Sequence, residues 1–256
     1  MDHRVNHYLV NKNKKEIVKW DEKYFACYAI KTCVATENQK LNDIIEQYVK
    51  PVAFPGDILF VSEKMVACTQ GKAIPVDKIK PGVSARILSR FVTQSPHGIG
   101  LAMPETMQCA INECGLLRIL AASAAGLAGK ILHKKGWFYK VAGTKAASVD
   151  GPCSYTLPPY NHYVVLSPDD PDAAAVSISK TLGGNLVLII DANDFGCTIL
   201  GSSRPDIDHK MFESLLKQNP LGQSDECTPV GFFRPLKASQ RTKWTSPLQG
   251  PKSLTH

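Results

Sequence analysis

The chain has 256 residues, of which 44 % are hydrophobic and 21 % charged. That is ordinary globular usage, so the sequence can build a substantial core and is not a disordered chain. The formal charge is +7, and residues 236–256 hold Lys237, Arg241, Lys243 and Lys252 with no acid. A basic tail can be a solvated terminus or can touch nucleic acid or anionic lipid. No zinc-finger spacing and no aromatic–basic RNA-binding signature accompanies it, so nucleic acid is not an expected partner.

Eight cysteines stand at 27, 33, 68, 109, 114, 153, 197 and 227, with no C-x-x-C among them. The chain is long and its first residues, Met1-Asp-His-Arg, contain no apolar run of the kind a signal peptide needs. The cysteines are therefore expected to be reduced and buried, in a cytoplasmic protein.

In chain order, residues 1–23 are polar and Lys-rich and carry no clear element. Tyr24–Ile30 reads as a strand. Leu41–Val49 has apolar residues at 41, 44, 45, 48 and 49, which is helical spacing, and Pro51 with Pro55-Gly56 ends it. Asp57–Val66 opens as a β-rich run. Ser84–Phe91 is a short helix candidate. Pro104–Gly115 and Leu116–Leu132 form a helical region, with Pro104 placed well for a helix start. The uncharged run Ile119–Gly129 is far shorter than the roughly 20 residues of a membrane span and reads as a buried helix, so no membrane is expected.

Trp137–Val141 reads as a strand and Gly151–Pro159 as a loop, because it holds three prolines. Asn161–Leu166 is a short strand candidate. Asp172–Leu182 is a helix stopped by Gly183-Gly184, with Asp172 favoured at its start by the helix dipole. Leu186–Ile190 is a continuous apolar run, typical of a strand covered on both faces. Ile207–Lys217 is a last helix and Val230–Phe233 a last strand. Strands alternating with helices predict an α/β (α+β layered) fold with a mixed sheet. The expected organisation is a polar segment 1–23, one domain over 24–235 and a basic tail 236–256.

Common chemical motifs are missing. Gly126-Leu-Ala-Gly129-Lys130 falls short of a P-loop because position 124 is Ala and Ile131 follows the lysine. There is no H-E-x-x-H, no G-x-S-x-G and no complete G-x-G-x-x-G. The strongest local signal is LVLIIDANDFG, Leu186–Gly196. An apolar strand ends, and Asp191, Asn193 and Asp194 follow before Gly196. In α/β sheets ligands collect at carboxyl ends of strands, and one or two carboxylates with substrate phosphates are how Mg²⁺ is commonly held. The same residues also suit an ordinary β-turn. Both readings stand at this point.

Five segments, in order, resemble the coenzyme F420-0:glutamate ligases. They are Pro55–Lys64 continuing to Gly71-Lys72, Val141-Ala-Gly143 through Ala147-Ser148, Ser167-Pro-Asp-Asp-Pro-Asp172, Ile189-Ile-Asp191 through Gly196, and Pro229–Arg234. The resemblance implies that family's fold and a homodimer. It implies GTP and a divalent metal, Mg²⁺ or Mn²⁺. A small-molecule carboxylate would be activated as an acyl phosphate and attacked by an amino acid, glutamate in the family, to form an amide. Carried over residue by residue, Asp191 and Asp194 are the catalytic candidates, and Asp150, Asp191 and Asp194 the metal candidates. Lys64, Gly71, Lys72, Lys145, Asn193 and Gly196 are the nucleotide-binding candidates. Lys145 occupies the place of a family Asp, and Asp150 lies five residues on. Lys72 and Lys145 could meet phosphate as point charges or be solvated surface residues. The alternative reading is a relative that binds a phosphorylated ligand without catalysis.

Overall fold

The computed structural model describes residues 8–92, 100–134, 136–154, 156–193, 196–223 and 226–237. These form two compact units, one of residues 1–66 with 170–256 and one of residues 67–169. Segments 93–99, 194–195 and 238–256 lie outside the described residues, so the basic tail and Asp194 have no structural account.

The first unit is built on a mixed sheet. Its strands are β1 (Tyr8–Leu9), β2 (Ile17–Trp20), β3 (Lys23–Ile30), β4 (Ile58–Ser62), β7 (Leu186–Asn193), β8 (Gly196–Ser202) and β9 (Val230–Leu236). The order is β1-β3-β9-β4-β7-β8, with β2 also on β3. Only β4 and β7 are parallel, with Ile58 opposite Leu186 and Ser62 opposite Ile190. β4 is also paired along its other edge with β9. A strand covered on both edges and both faces must be apolar throughout, and Leu59, Phe60 and Val61 are fully buried. Residues 1–23, polar by composition, contribute β1 and β2 as a border to β3. They are held by cross-strand pairing that a local reading does not see.

Three helices complete this unit. Helix α1 (Leu41–Ile44) continues as a π-helical turn over Ile45–Val49. Helix α8 (Pro171–Thr181) starts on Asp170, whose Oδ1 accepts the N–H of Ala173 at 2.9 Å. Asp172 sits in the first turn, and its carboxylate accepts the N–H of Ser202 at 2.7 Å. Helix α9 (His209–Leu216) is capped by Asp208 and packs Phe212, Leu215 and Leu216 with Phe25, Phe60, Leu188 and Phe233.

At the amino end of β4 an ion pair ties β4 to β9. Asp57 is 2 % exposed and accepts from Arg234 through both oxygens, at 2.8 and 2.6 Å. The guanidinium lies between the rings of Phe54 and Phe232, 4.3 and 4.8 Å from their centroids. The planar fork satisfies the carboxylate while its faces stack on aromatic carbon. Asn185, just ahead of β7, donates to the carbonyls of Phe54 and Asp57. One turn thus fixes the starts of β4 and β7 against the end of β9.

The second unit contains the end of α2 (Glu63–Thr69, which begins in the first unit), α3 (Val83–Ser89), α4 (Pro104–Cys114), α5 (Leu116–Ile131), α6 (Trp137–Ala142) and α7 (Thr144–Ala147). It also has a two-stranded sheet of β5 (Ala73–Pro75) and β6 (Tyr163–Val165). Its core joins Leu101, Met107, Ile119, Ala122, Ala146 and Val164.

Three expectations need correction. Trp137–Val141 is helical. Apolar runs this short do not separate strand from helix by periodicity, and Gly126 and Gly129 on α5 decide it. A Cβ at Gly129 would stand 2.7 Å from the carbonyl of Lys134 and 3.2 Å from Trp137, so the glycines form the surface on which α6 docks. Second, α5 is buried along one stripe only, at Ile119, Ala122 and Gly129, while Leu117, Leu127 and Ile131 are 61–84 % exposed. Third, the run from Leu186 does not end at Ile190. It continues to Asn193 and folds back as β8, which local reading missed because the Asp/Asn/Gly cluster masked a hairpin.

Among the described residues no single helix is long and apolar enough to cross a membrane, and the apolar pair α4–α5 is bent by 118°. All eight cysteines are free, as expected, but only Cys27, Cys68 and Cys109 are buried. The partial exposure of the others corrects the expectation that all are interior.

Two substitutions probe this frame. A Cβ at Gly231 would collide with the Phe60 ring and lie 2.6 Å from the Tyr28 carbonyl oxygen. Gly231→Ala is therefore expected to destabilise the fold by about 1–3 kcal/mol, measured by urea unfolding. Asp57→Ala, which strands the Arg234 cation, is expected to cost about 3 kcal/mol in the same assay.

Candidate functional site

In the first unit, the parallel pairing of β4 and β7 brings two carboxyl ends together. Along β7, Leu188, Ile190 and Ala192 pack toward α9. By strand alternation Asp191 and Asn193 belong to the opposite face. Asp191 is half-buried and pairs with Thr198 on β8. Asn193 pairs with Gly196, and its Oδ1 accepts the Gly196 N–H at 3.2 Å. The turn reading of this segment is thus realised as a hairpin, with Asp191 inside the strand rather than after it.

The Asp191 carboxylate is felt by Cys197. Burial first, then Asp191, then Glu213, push that thiol up to about 12. A thiol so far above neutral pH remains protonated and is no nucleophile.

The other carboxyl end carries a group that was not singled out from sequence. Glu63 follows Ser62 directly and is only 3 % exposed. Ser62 is opposite Ile190, so Glu63, the first residue of α2, and Asp191, inside β7, each follow one residue of this last parallel pair. The available signal was a carboxylate placed immediately after an apolar strand, the same pattern that drew attention to Asp191. Lys64, beside it, is exposed on the first turn of α2.

Donor chemistry limits what a metal could do here. Among the described residues no group of three or more His, Cys, Asp or Glu is placed to hold a metal ion. A cage made by protein alone, as in structural zinc sites, does not fit these residues. A hard cation held by one or two carboxylates and completed by phosphate oxygens does fit a sheet end carrying Asp191 and Glu63.

In the second unit, Lys72 lies where α2 has just ended. Gly71 takes φ +71°, and the N–H of Lys72 returns to the Ala67 carbonyl at 2.9 Å, a left-handed helix stop for which glycine is suited. Lys72 Nζ is 2.9 Å from Asp169 Oδ1 and 3.5 Å from Glu113 Oε1. Lys145, on α7, stands 3.8 Å from Glu113 Oε2. Gln70 and Asp169 exchange two hydrogen bonds, at 2.9 and 2.8 Å. Burial pulls the Lys72 pKa down, but Asp169 and then Glu113 outweigh it and the net direction is upward. Lys72 is therefore part-buried between two carboxylates, whereas Lys145 remains an exposed surface residue that approaches the same carboxylate, Glu113.

Asp150 is placed differently. Its backbone exchanges two 2.9 Å hydrogen bonds with Val165, extending the small sheet. The structure gathers Lys72 and Lys145 around Glu113 in this unit, which also holds Gly71, and places Asp191, Asn193, Gly196 and Lys64 in the other.

Glu113→Gln removes the anion that Lys72 and Lys145 share. It is expected to lower stability at neutral pH by about 1 kcal/mol. The upward shift of Lys72 means that its contribution is present below the usual lysine value and fades as pH rises through the raised value. The difference between Glu113→Gln and the unaltered protein should therefore shrink at strongly alkaline pH in denaturant titrations.

The comparisons with known proteins agree with the ordered segments. The profile of the F420-0:Gamma-glutamyl ligase family matches residues 29–196. No curated protein matches the chain. The match covers more than half of the sequence, including β4, Lys72, Lys145 and β7 through Gly196, and the chain belongs to the F420-0:gamma-glutamyl ligase family.

Proposed function

We propose that this protein is an amide-forming ligase that uses a nucleoside triphosphate, GTP by family resemblance, and Mg²⁺ or Mn²⁺ to join an amino acid such as glutamate to a small-molecule carboxylate. The observation that carries the reading is the family match across residues 29–196. Two carboxylates just beyond the last parallel β4–β7 pair support it, because α/β sheets present ligands toward the carboxyl ends of their strands.

In this reading Asp191 and Asp194 hold the cation, and Asn193 and Gly196 belong to the nucleotide site. A bound divalent ion would offset charge on the phosphate oxygens during transfer to the substrate carboxylate. Lys72 and Lys145 attract phosphate, and Glu113 keeps both ammonium groups oriented until a more highly charged anion competes for them. Lys64, exposed on the first turn of α2, is assigned to the phosphates in this reading. Asp150 contributes through its side chain, since its backbone is committed to Val165. A cytoplasmic homodimer is part of the proposal, checked by sedimentation of the purified chain.

A second reading has its own observation. Lys145 stands where the family has an Asp and is held by Glu113. A protein so altered could bind nucleotide without turning it over.

The test is release of phosphate from GTP with Mg²⁺ or Mn²⁺, a carboxylate acceptor and glutamate. Asp191→Asn is expected to lower the rate by about 100-fold or more while the protein stays folded, as removal of a preorganised electrostatic group does. Nucleotide binding without phosphate release by the unaltered protein would select the second reading. Metal and nucleotide binding unchanged in Asp191→Asn would overturn the site.

A further inference from the structure

The β3–β9 pairing ends at Ile30 opposite Val230. Three residues farther along each chain are Cys33 and Cys227. The two chains stay together past the last ladder pair. The N–H of Thr32 donates to the Cys227 carbonyl at 3.1 Å, and the Cys227 thiol donates to the Thr32 carbonyl at 3.4 Å. These bonds set Thr32, the neighbour of Cys33, against Cys227, and a disulfide spans Cα atoms roughly 4.4–6.8 Å apart.

Both sulfurs are partly exposed, unlike the core cysteines 27, 68 and 109. The Cys33 Sγ accepts from Gln39 Nε2 at 3.4 Å and is hydrogen-bonded with the Tyr48 side chain. Cys227 has φ +54°, a left-handed conformation that a side-chain-bearing residue adopts only where its surroundings hold it. The Cys227 thiol is pushed up by burial and then by Cys33, with Lys31 opposing, so the two sulfurs sense each other.

We propose that Cys33 and Cys227 form a redox modification site, converted to a disulfide by a peroxide and reopened by a thiol reductant. One thiolate attacks the O–O bond of hydrogen peroxide, the bond breaks, and a sulfenic acid and water result. The second thiolate attacks the sulfenic sulfur, the S–S bond forms, the S–O bond breaks, and a second water leaves. Two thiols and one peroxide thus give one disulfide and two waters.

The position gives the bond a consequence. Val230 also faces Val61 on β4, and the Ser62 N–H donates to the Pro229 carbonyl at 2.8 Å. Ser62 in turn is opposite Ile190, one residue before Asp191. The disulfide therefore ties the exit of β3 to the entry of β9 at the same end of the sheet that bears Glu63 and Asp191.

The intact chain treated with hydrogen peroxide and digested with trypsin under non-reducing conditions tests this directly. Cleavage after Lys31 and Lys40 isolates a peptide whose sole cysteine is Cys33, and cleavage after Lys217 isolates one whose sole cysteine is Cys227. The expected product is these two peptides joined, with the loss of two hydrogens, separating after dithiothreitol. The joined product should persist in Cys197→Ser and vanish in Cys33→Ser. The oxidised protein should also melt at a higher temperature than the reduced one, with no such shift in Cys33→Ser. Recovery of both cysteines as free thiols, or of either joined to a different cysteine, overturns the proposal. The readout uses neither nucleotide nor metal, so it stands or falls independently of the ligase reading.

Discussion

The parallel pairing of β4 with β7, while β4 is also clasped by β9, is the constraint on which the first unit depends. It needs a strand apolar on both faces, which Leu59, Phe60 and Val61 provide. It also needs β9 to come close enough for Phe60 to lie over its backbone, which is possible because position 231 is glycine. The Asp57–Arg234 pair then fixes where the register begins. A shift by one residue would turn Asp191 into the core and Ile190 out of it, so register and site are one decision.

That register sets the chemistry of one sheet end. It puts Glu63 and Asp191 just beyond the last β4–β7 pair, with the start of β9 at the same end. A carboxylate offers hard oxygen there. It can serve a cation whose remaining ligands come from a phosphate. The second unit solves a different problem. Its lysines are gathered near Glu113 and Asp169, which lets two ammonium groups stand close without mutual repulsion. Such a cluster is cohesive without ligand and can exchange partners when a stronger anion arrives, because surface and part-buried pairs are individually weak.

Some of this was legible locally. Tyr24–Ile30, Leu41–Val49, Pro104–Leu132 and Leu186–Ile190 have lengths and periods that leave one choice, and each is found within a few residues of its expected place. Trp137–Val141 was not legible, because so short a run fits either element and the decision lay in two glycines on another helix. β8 was hidden by a turn whose residues also suit ligand binding. Glu63 was passed over because burial, not identity, is what distinguishes it.

The sequence by itself determined the class of fold and the family, since apolar periodicity and the ordered segments are properties of the chain alone. It also determined which residue types were on offer, carboxylates after strands and lysines after glycine turns. Only the tertiary structure decided which of them act together. Glu113 holds Lys72 from 41 residues away and also approaches Lys145, and Cys227 meets Thr32, beside Cys33, across 195 residues. Such contacts follow from strand register and helix docking, which depend on long-range burial and leave no local mark in the sequence.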